Sequence, residues 1–334
     1  MNKFSCVAFL IGSVFFSCNS EKENRTEDFS TLESLVSDLE NQGLILSDRL
    51  DSLAHDYEHH IQNWDSLRLI ADFSKYQFQD AFSTNLPTQD SSLSSLIILN
   101  TTPNREKALE EVAATNFLDE KFAEFLKPNP LVAQVYSNSA MQVSRVFPAY
   151  DHKNIVDPNL DVRDFNFYYA ANEVNNPSKG IVWIKDTYVD PAGRGWILSL
   201  VHPIYREGKL FAVLGADLTV DDVIHNYFES YPGEYLLVNS KGDIIAGKSG
   251  AIEMLSMPPL KNHVYRETVK SEFFRVSDFN LFNSKSREVR SMAQEFLLNK
   301  KDEFSFTEEK NISTAICRGV NGIDWNLIQI IPSR

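Results

Sequence analysis

The sequence predicts an α+β fold, with one long N-terminal helix followed by antiparallel sheets flanked by helices. Three observations predict it. Apolar residues return at steps mostly of three and four from Leu32 to Leu67, the spacing of one helical face. Between Ile181 and Leu218, apolar runs are separated by turn residues, the pattern of strands joined by tight connections. A further hairpin pattern at Glu234 to Ala246 and two late apolar runs, Ser313 to Arg318 and Trp325 to Ile331, repeat that arrangement nearer the C-terminus. With 334 residues, of which 43% are hydrophobic, there is room for two domains with cores of their own.

Residues 1–17 read as a targeting segment. Lys3 supplies the positive start, and Phe4 to Phe16 form an apolar stretch too short for a spanning helix. The tetrad Phe15-Phe16-Ser17-Cys18 resembles a bacterial lipobox, with Phe where Leu is commoner. Cleavage before Cys18 would leave its thiol to be lipidated; the plainer reading is ordinary signal cleavage with Cys18 incidental. The lipidated form is expected in the cell envelope, anchored to a bacterial membrane on its periplasmic or outer surface. Of the three cysteines, Cys6 is then discarded, Cys18 is the anchor and Cys317 stands alone, so burial rather than a disulfide must hold the fold.

Residues 18–29 are polar and charged and read as a tether. Ser30-Thr31-Leu32-Glu33 has the form of a capping box opening a helix, and a spine helix is expected within 30–79. Its stripe runs through Leu32, Leu35, Leu39, Leu46, Leu50, Leu53, Tyr57, Trp64 and Leu67, about 60 Å at 1.5 Å per residue. The same stripe also reads as a coiled-coil seam, though Gln42 and His60 interrupt it. His55, His59 and His60 on this helix read as a solvated face, and no metal is expected.

The next segment, 80–230, is expected to form one lobe. A helix is predicted around Arg105 to Leu126, stopped by Pro128-Asn129-Pro130. Val132 to Tyr136 and Met141 to Phe147 predict a hairpin turning at Ser137 to Ala140. Phe165, Phe167, Tyr168, Ala171 and Val174 mark a short aromatic helix, broken by Pro177 to Gly180. Strands follow at Ile181 to Ile184 with Tyr188-Val189, at Trp196 to Tyr205 and at Leu210 to Leu218. Their connections are Asp190-Pro191-Ala192-Gly193 and Arg206-Glu207-Gly208-Lys209. These strands make five in an antiparallel sheet. Segment 231–334 is the second lobe.

In order, Asp161, Arg163, Tyr168, Ala170-Ala171, Trp183, Tyr188, Asp190, Gly193, Trp196, Pro203, Gly208, Gly215 and Asp217 resemble the double Cache domain, a PAS-like sensor module of bacterial receptors. The resemblance implies two PAS-like lobes behind a spine helix, with 80–230 membrane-distal and carrying the ligand pocket, and 231–334 membrane-proximal. In such receptors this ending is followed by a transmembrane helix and a signalling module. Here the sequence stops at Arg334, which points to a separate membrane partner such as a kinase, receptor or transporter.

The same resemblance implies a pocket on the concave face of the distal sheet, with Phe165, Phe167, Tyr168, Trp183, Tyr188 and Asp217 as ligand-binding residues. Amino-acid-binding members grip their ligand with a Tyr, an Arg, a Trp, a second Tyr and a later Asp. At the matching positions this chain has Leu160, Phe165, Phe167, Tyr168 and Asp217. The carboxylate clamp is gone, so a free α-amino acid is not the expected ligand. An aromatic pocket with one anion suits an amine, another small cation or an uncharged molecule. Each residue also has a plainer reading: the aromatics as core, and Asp217 as the cap of a helix beginning near Thr219.

No Gly-x-Ser-x-Gly elbow, HExxH pair, phosphate loop or Cys-x-x-Cys occurs, so no enzyme and no cofactor is expected. A net charge of −14 argues against a nucleic-acid partner. The expected function is therefore that of a lipid-anchored sensor passing ligand occupancy to a membrane partner. The alternative is a scaffold lipoprotein whose pocket is filled by side chains.

Overall fold

The computed structural model describes residues 12–85, 88, 90–185, 188–190, 194–257 and 279–333. The chain divides into two compact units, one holding Asn41–Asn226, the other holding the chain up to Glu40 and the described chain from Tyr227 onward. A single helix, α1 (Gly12–Gln62), contributes to both.

Helix α1 begins well before the capping box and covers the expected tether. The reason is compositional: the stretch Glu21 to Glu27 contains no Gly or Pro, and Glu, Lys and Arg are good helix formers. Ser30 to Glu33 therefore lie inside the helix and do not cap it, and the Thr31 and Ser34 hydroxyls donate to the carbonyls of Glu27 and Ser30 one turn earlier. The stripe is real, for Leu32, Leu35, Leu50, Ala54, Tyr57 and Ile61 are buried. The helix stops well short of 79, and only a short α2 (Trp64–Leu69) follows. Asp72 then accepts from the backbone N–H and hydroxyl of Ser74, a side-chain turn that competes with helix. His55 and His60 lie beside Asp51 and Asp56, each one turn earlier, and the His60 ring stacks on Phe117.

The larger unit is built on a nine-stranded antiparallel sheet rather than five strands. The strands are β1 (Phe78–Gln79), β2 (Phe82–Ser83), β3 (Ser95–Ile98), β4 (Val132–Ser139), β5 (Val143–Phe147), β6 (Val182–Trp183), β7 (Tyr188–Val189), β8 (Trp196–Arg206) and β9 (Lys209–Thr219). Their order is β1-β2-β3-β5-β4-β9-β8-β6, with β7 also on β8. The additional strands are the short edge pieces and β3, whose short apolar run, Leu96 to Ile98, periodicity alone cannot type. The predicted helix at 105–126 is two, α3 (Arg105–Ala114) and α4 (Leu118–Leu126).

Strand alternation sorts this sheet into two layers. On one face Leu96, Ile98 and Val143 pack with Ala108 and Val112 of α3. On the other, Ile97, Leu99, Tyr136, Val146, Val201 and Val213 pack with Val162, Phe167, Tyr168 and Ala171 from the segment between β5 and β6. That second layer holds the site described below.

The smaller unit has a five-stranded antiparallel sheet in the order β11-β10-β14-β13-β12, made of β10 (Glu234–Asn239), β11 (Ile244–Gly247), β12 (Glu303–Ser305), β13 (Ile312–Val320) and β14 (Trp325–Pro332). Arg318 of β13 reaches Glu33 of α1 at 3.2 Å and lies over the Phe29 ring. Of residues 251–300, which the sequence reads as helical or irregular, 258–278 lie outside the described residues. Cys317 is buried and unpaired with another cysteine, and burial raises its thiol to about 12, the value of an inert core thiol.

Candidate functional site

A cavity opens on the second layer of the larger sheet. Its interior measures about 60 Å³, and its mouth is open to solvent. The floor comes from β4, where Gln134, Tyr136 and Asn138 stand at two-residue intervals on one face. Ser144 and Val146 of β5 continue it, directly opposite Asn138 and Tyr136. Ile97 and Leu99 extend it, and Leu160, Val162, Phe165 and Phe167 close the other side.

Phe165 and Phe167 stack on one another at 5.2 Å, and Phe167 meets Tyr136 edge-on at 5.6 Å. Together they form a wall, and the cavity beside them is open. That wall is tied down from beyond the rim. The Thr101 hydroxyl donates to the Leu160 carbonyl, and Gln142 accepts from the Val162 N–H while donating to Asp161. Arg163 turns back onto Asp161, which explains why Arg163 makes a structural pair.

One end of the cavity is rich in oxygen. Asp217 of β9 is 1% exposed. It accepts from the Ser199 hydroxyl at 2.5 Å and from the Gln134 amide at 2.6 Å. Tyr188 and Ser199 share a hydrogen bond of 2.7 Å; since the Ser199 proton goes to Asp217, Tyr188 is the donor there. The Gln134 amide nitrogen also donates to Asp190 at 3.2 Å, so one NH2 group bridges two buried carboxylates. Arg194 donates its Nε–H to the Gln134 oxygen and its backbone N–H to Asp190. Burial first, and the Asp190 charge second, push the Asp217 carboxyl up to about 8. The Tyr136 hydroxyl is buried here without a hydrogen-bond partner.

Gly215 makes this arrangement possible. A Cβ there would lie 2.1 Å from the Tyr136 Cζ, so the ring lies flat against the backbone of β9. We expect Gly215→Ala to destabilise the protein by about 1–3 kcal/mol through overpacking, measured by urea unfolding. Adding Tyr136→Leu recovers part of that loss if the clash is its cause.

Of the six residues expected in the pocket, Phe165, Phe167, Tyr188 and Asp217 line the cavity and Tyr168 and Trp183 do not. Tyr168 is buried in the same apolar cluster, but it sits in a short helix, Asn166–Tyr169, where successive side chains diverge by about 100°. Burial raises its hydroxyl to about 12. Trp183 pairs with Leu200, while its neighbour Val182 pairs with Val201 of the cavity-side layer. The Trp183 ring therefore faces the opposite way, against Gly43 of α1. Asp217 does not cap the helix Val220–Val223, since Thr219 accepts from the Asp222 N–H in that role. Sequence reasoning missed Gln134, Tyr136 and Asn138, whose signal is polar or aromatic character at alternate positions of one strand. Asp190 was assigned to a turn whose remainder, 191–193, lies outside the described residues. The side chain of Cys18 is likewise outside them, and the anchor has no structural account.

Among the described residues no helix is long and apolar enough to cross a membrane. No family model matches the chain, and no curated protein matches it. Solved structures do. The sensory domain of the Campylobacter jejuni chemoreceptor Tlp3 with isoleucine bound is 17% identical, with 98% of each chain covered and a TM-score of 0.53. The ligand-binding domain of the Pseudomonas fluorescens chemoreceptor CtaA with L-alanine is 16% identical, covering 86% of this chain and 97% of that one at a TM-score of 0.42. The ligand-binding domain of the Pseudomonas aeruginosa amino acid chemoreceptor PctB with L-Gln is 16% identical, covering 85% and 90% at 0.41. The likeness to the first, over nearly the whole of both chains, shows a shared fold.

Proposed function

Starting from the double Cache fold that this chain has, we propose that it is an extracytoplasmic sensor whose distal cavity binds a small organic cation, an amine above all. The carrying observation is the pair of buried carboxylates, Asp190 and Asp217, bridged by one amide at the end of an open, aromatic-walled cavity. Burial and the neighbouring Asp190 charge hold a proton on Asp217, and a carboxylate kept from water ionises at less cost when a positive group joins it. An ammonium would give each carboxylate a proton donor and offer one to the idle Tyr136 oxygen. It would also displace the proton that burial holds on Asp217.

The amino acids named with the solved neighbours belong to those proteins. Leu160, Phe165 and Phe167, which the sequence resemblance aligns with the clamp of amino-acid binders, line this cavity, and no Lys, Arg or His is among its described lining. A ligand carboxylate would therefore be buried without a cation, which favours amines over free α-amino acids. Anchoring through a lipidated Cys18, and transmission of occupancy through α1 to a separate membrane partner, complete the proposed role.

A thermal-shift and calorimetric screen of the purified protein against primary amines, free amino acids and neutral polyols tests this. Amines are expected to raise the melting temperature and to bind more tightly as pH rises towards 8. Saturable binding of amino acids without amines, or no response to any class, overturns it.

A further inference from the structure

The cavity has a second polar end that the amine reading leaves unused. Asn138 stands four residues beyond Gln134 on the same face of β4, about 13 Å away along the strand. It is only 5% exposed, and among the described residues neither its side chain nor that of Ser144, directly opposite on β5, makes a hydrogen bond within the protein. No Asn138 atom is among the fully buried polar atoms left unpaired, so its amide faces the space of the cavity, where a bound molecule can pair with it. Between this end and the carboxylates lie Tyr136, Val146 and Phe167, which offer apolar and aromatic surface.

We propose that Asn138 and Ser144 form a second subsite that selects an uncharged hydrogen-bonding group, a hydroxyl or an amide, at the far end of an elongated amine. The inference rests on the amine reading and narrows it to amino alcohols and singly acylated diamines. The subsite is neutral on both counts. An amide and a hydroxyl can each donate and accept, so they match a hydroxyl or an amide. No basic side chain among the described lining residues would stabilise a carboxylate there, and no acidic one faces a second ammonium at that end. A plain alkylamine fills the apolar middle but leaves Asn138 unpaired.

The test is calorimetric titration of the full chain with five probes at matched chain lengths: an n-alkylamine, an amino alcohol, an N-acetyl diamine, a diamine and an ω-amino acid. At the best length, the amino alcohol or the acetylated diamine is expected to bind about tenfold tighter than the alkylamine, the scale of one buried hydrogen bond. Asn138→Leu should erase that advantage while retaining alkylamine binding. Asn138→Asp should move the preference to the diamine, so the subsite is tested by a gain as well as a loss. Equal affinity of the alkylamine and its hydroxylated counterpart overturns the subsite and leaves the amine reading standing. A preference of the unaltered protein for the diamine or the ω-amino acid overturns it by showing a charged far end. Failure of every amine overturns both readings together.

Discussion

Asp217→Asn is expected to weaken amine binding by about 30-fold or more. Removing one partner of a buried, hydrogen-bonded charge pair costs about 2–5 kcal/mol, and only Asp190 then remains as an anion at this end of the cavity. Asp190 is already engaged by the Gln134 amide, which serves both carboxylates, and by the Arg194 N–H. The same substitution should alter stability in the opposite sense. The Asp217 carboxyl titrates near 8 in the fold and in the ordinary carboxylate range, near 4, when the chain unfolds. Between those values the folded state holds a proton that the unfolded state has released. Stability from this group therefore falls as pH rises from about 4 to about 8. The asparagine variant has no such proton, so its melting temperature should vary less over that window and exceed that of the unaltered protein at its upper end. Calorimetry of ligand binding and melting curves at several pH values read the two effects separately. Unchanged amine affinity in the variant would remove Asp217 from the site, whatever its stability.

The sheet was legible in the sequence where alternation and turn chemistry agreed. The hairpin of β8 and β9 follows from two apolar runs around Glu207-Gly208, with both residues in the left-handed region the turn needs. What the sequence could not supply was the sign of each face. Period two says that Val182 and Trp183 point apart, but only packing decides which meets the cavity, and Trp183 went to α1. Ser137-Asn138-Ser139 reads as a turn from residue type. It lies in β4 because Leu214, Val213 and Ala212 of β9 pair with it residue for residue, a case of long-range pairing overriding local preference. That misreading hid Asn138. The floor of the cavity was obscured for the same reason, since Gln134, Tyr136 and Asn138 form a row only once the strand runs unbroken to Ser139.

The face of the sheet opposite the cavity predicts the largest loss of stability. Arg145 is 1% exposed and alternates with the cavity-facing Ser144 and Val146. Its guanidinium donates to Asp119 at 2.7 Å and to the Val112 carbonyl at 3.0 Å. Asp119 also accepts from Tyr76 and Ser94 and pairs with Lys75 at 2.7 Å. Burial alone would push the Asp119 carboxyl up, but Arg145 and then Lys75 outweigh it, and it titrates below the ordinary carboxylate range. Asp119→Ala leaves Arg145 charged and buried with its main partner gone, an expected loss of about 3–5 kcal/mol. Arg145→Met added to that variant should restore much of the loss, because the uncompensated charge rather than the missing contact carries the penalty. Urea unfolding of both single variants and the double variant measures this coupling. If the double variant is as unstable as the sum of the singles, the pair is not the unit that holds β5 against α3 and α4. Its failure should reach the cavity too, since Ser144 and Val146 stand on the same strand as Arg145 and keep their places only while β5 keeps its register with β4.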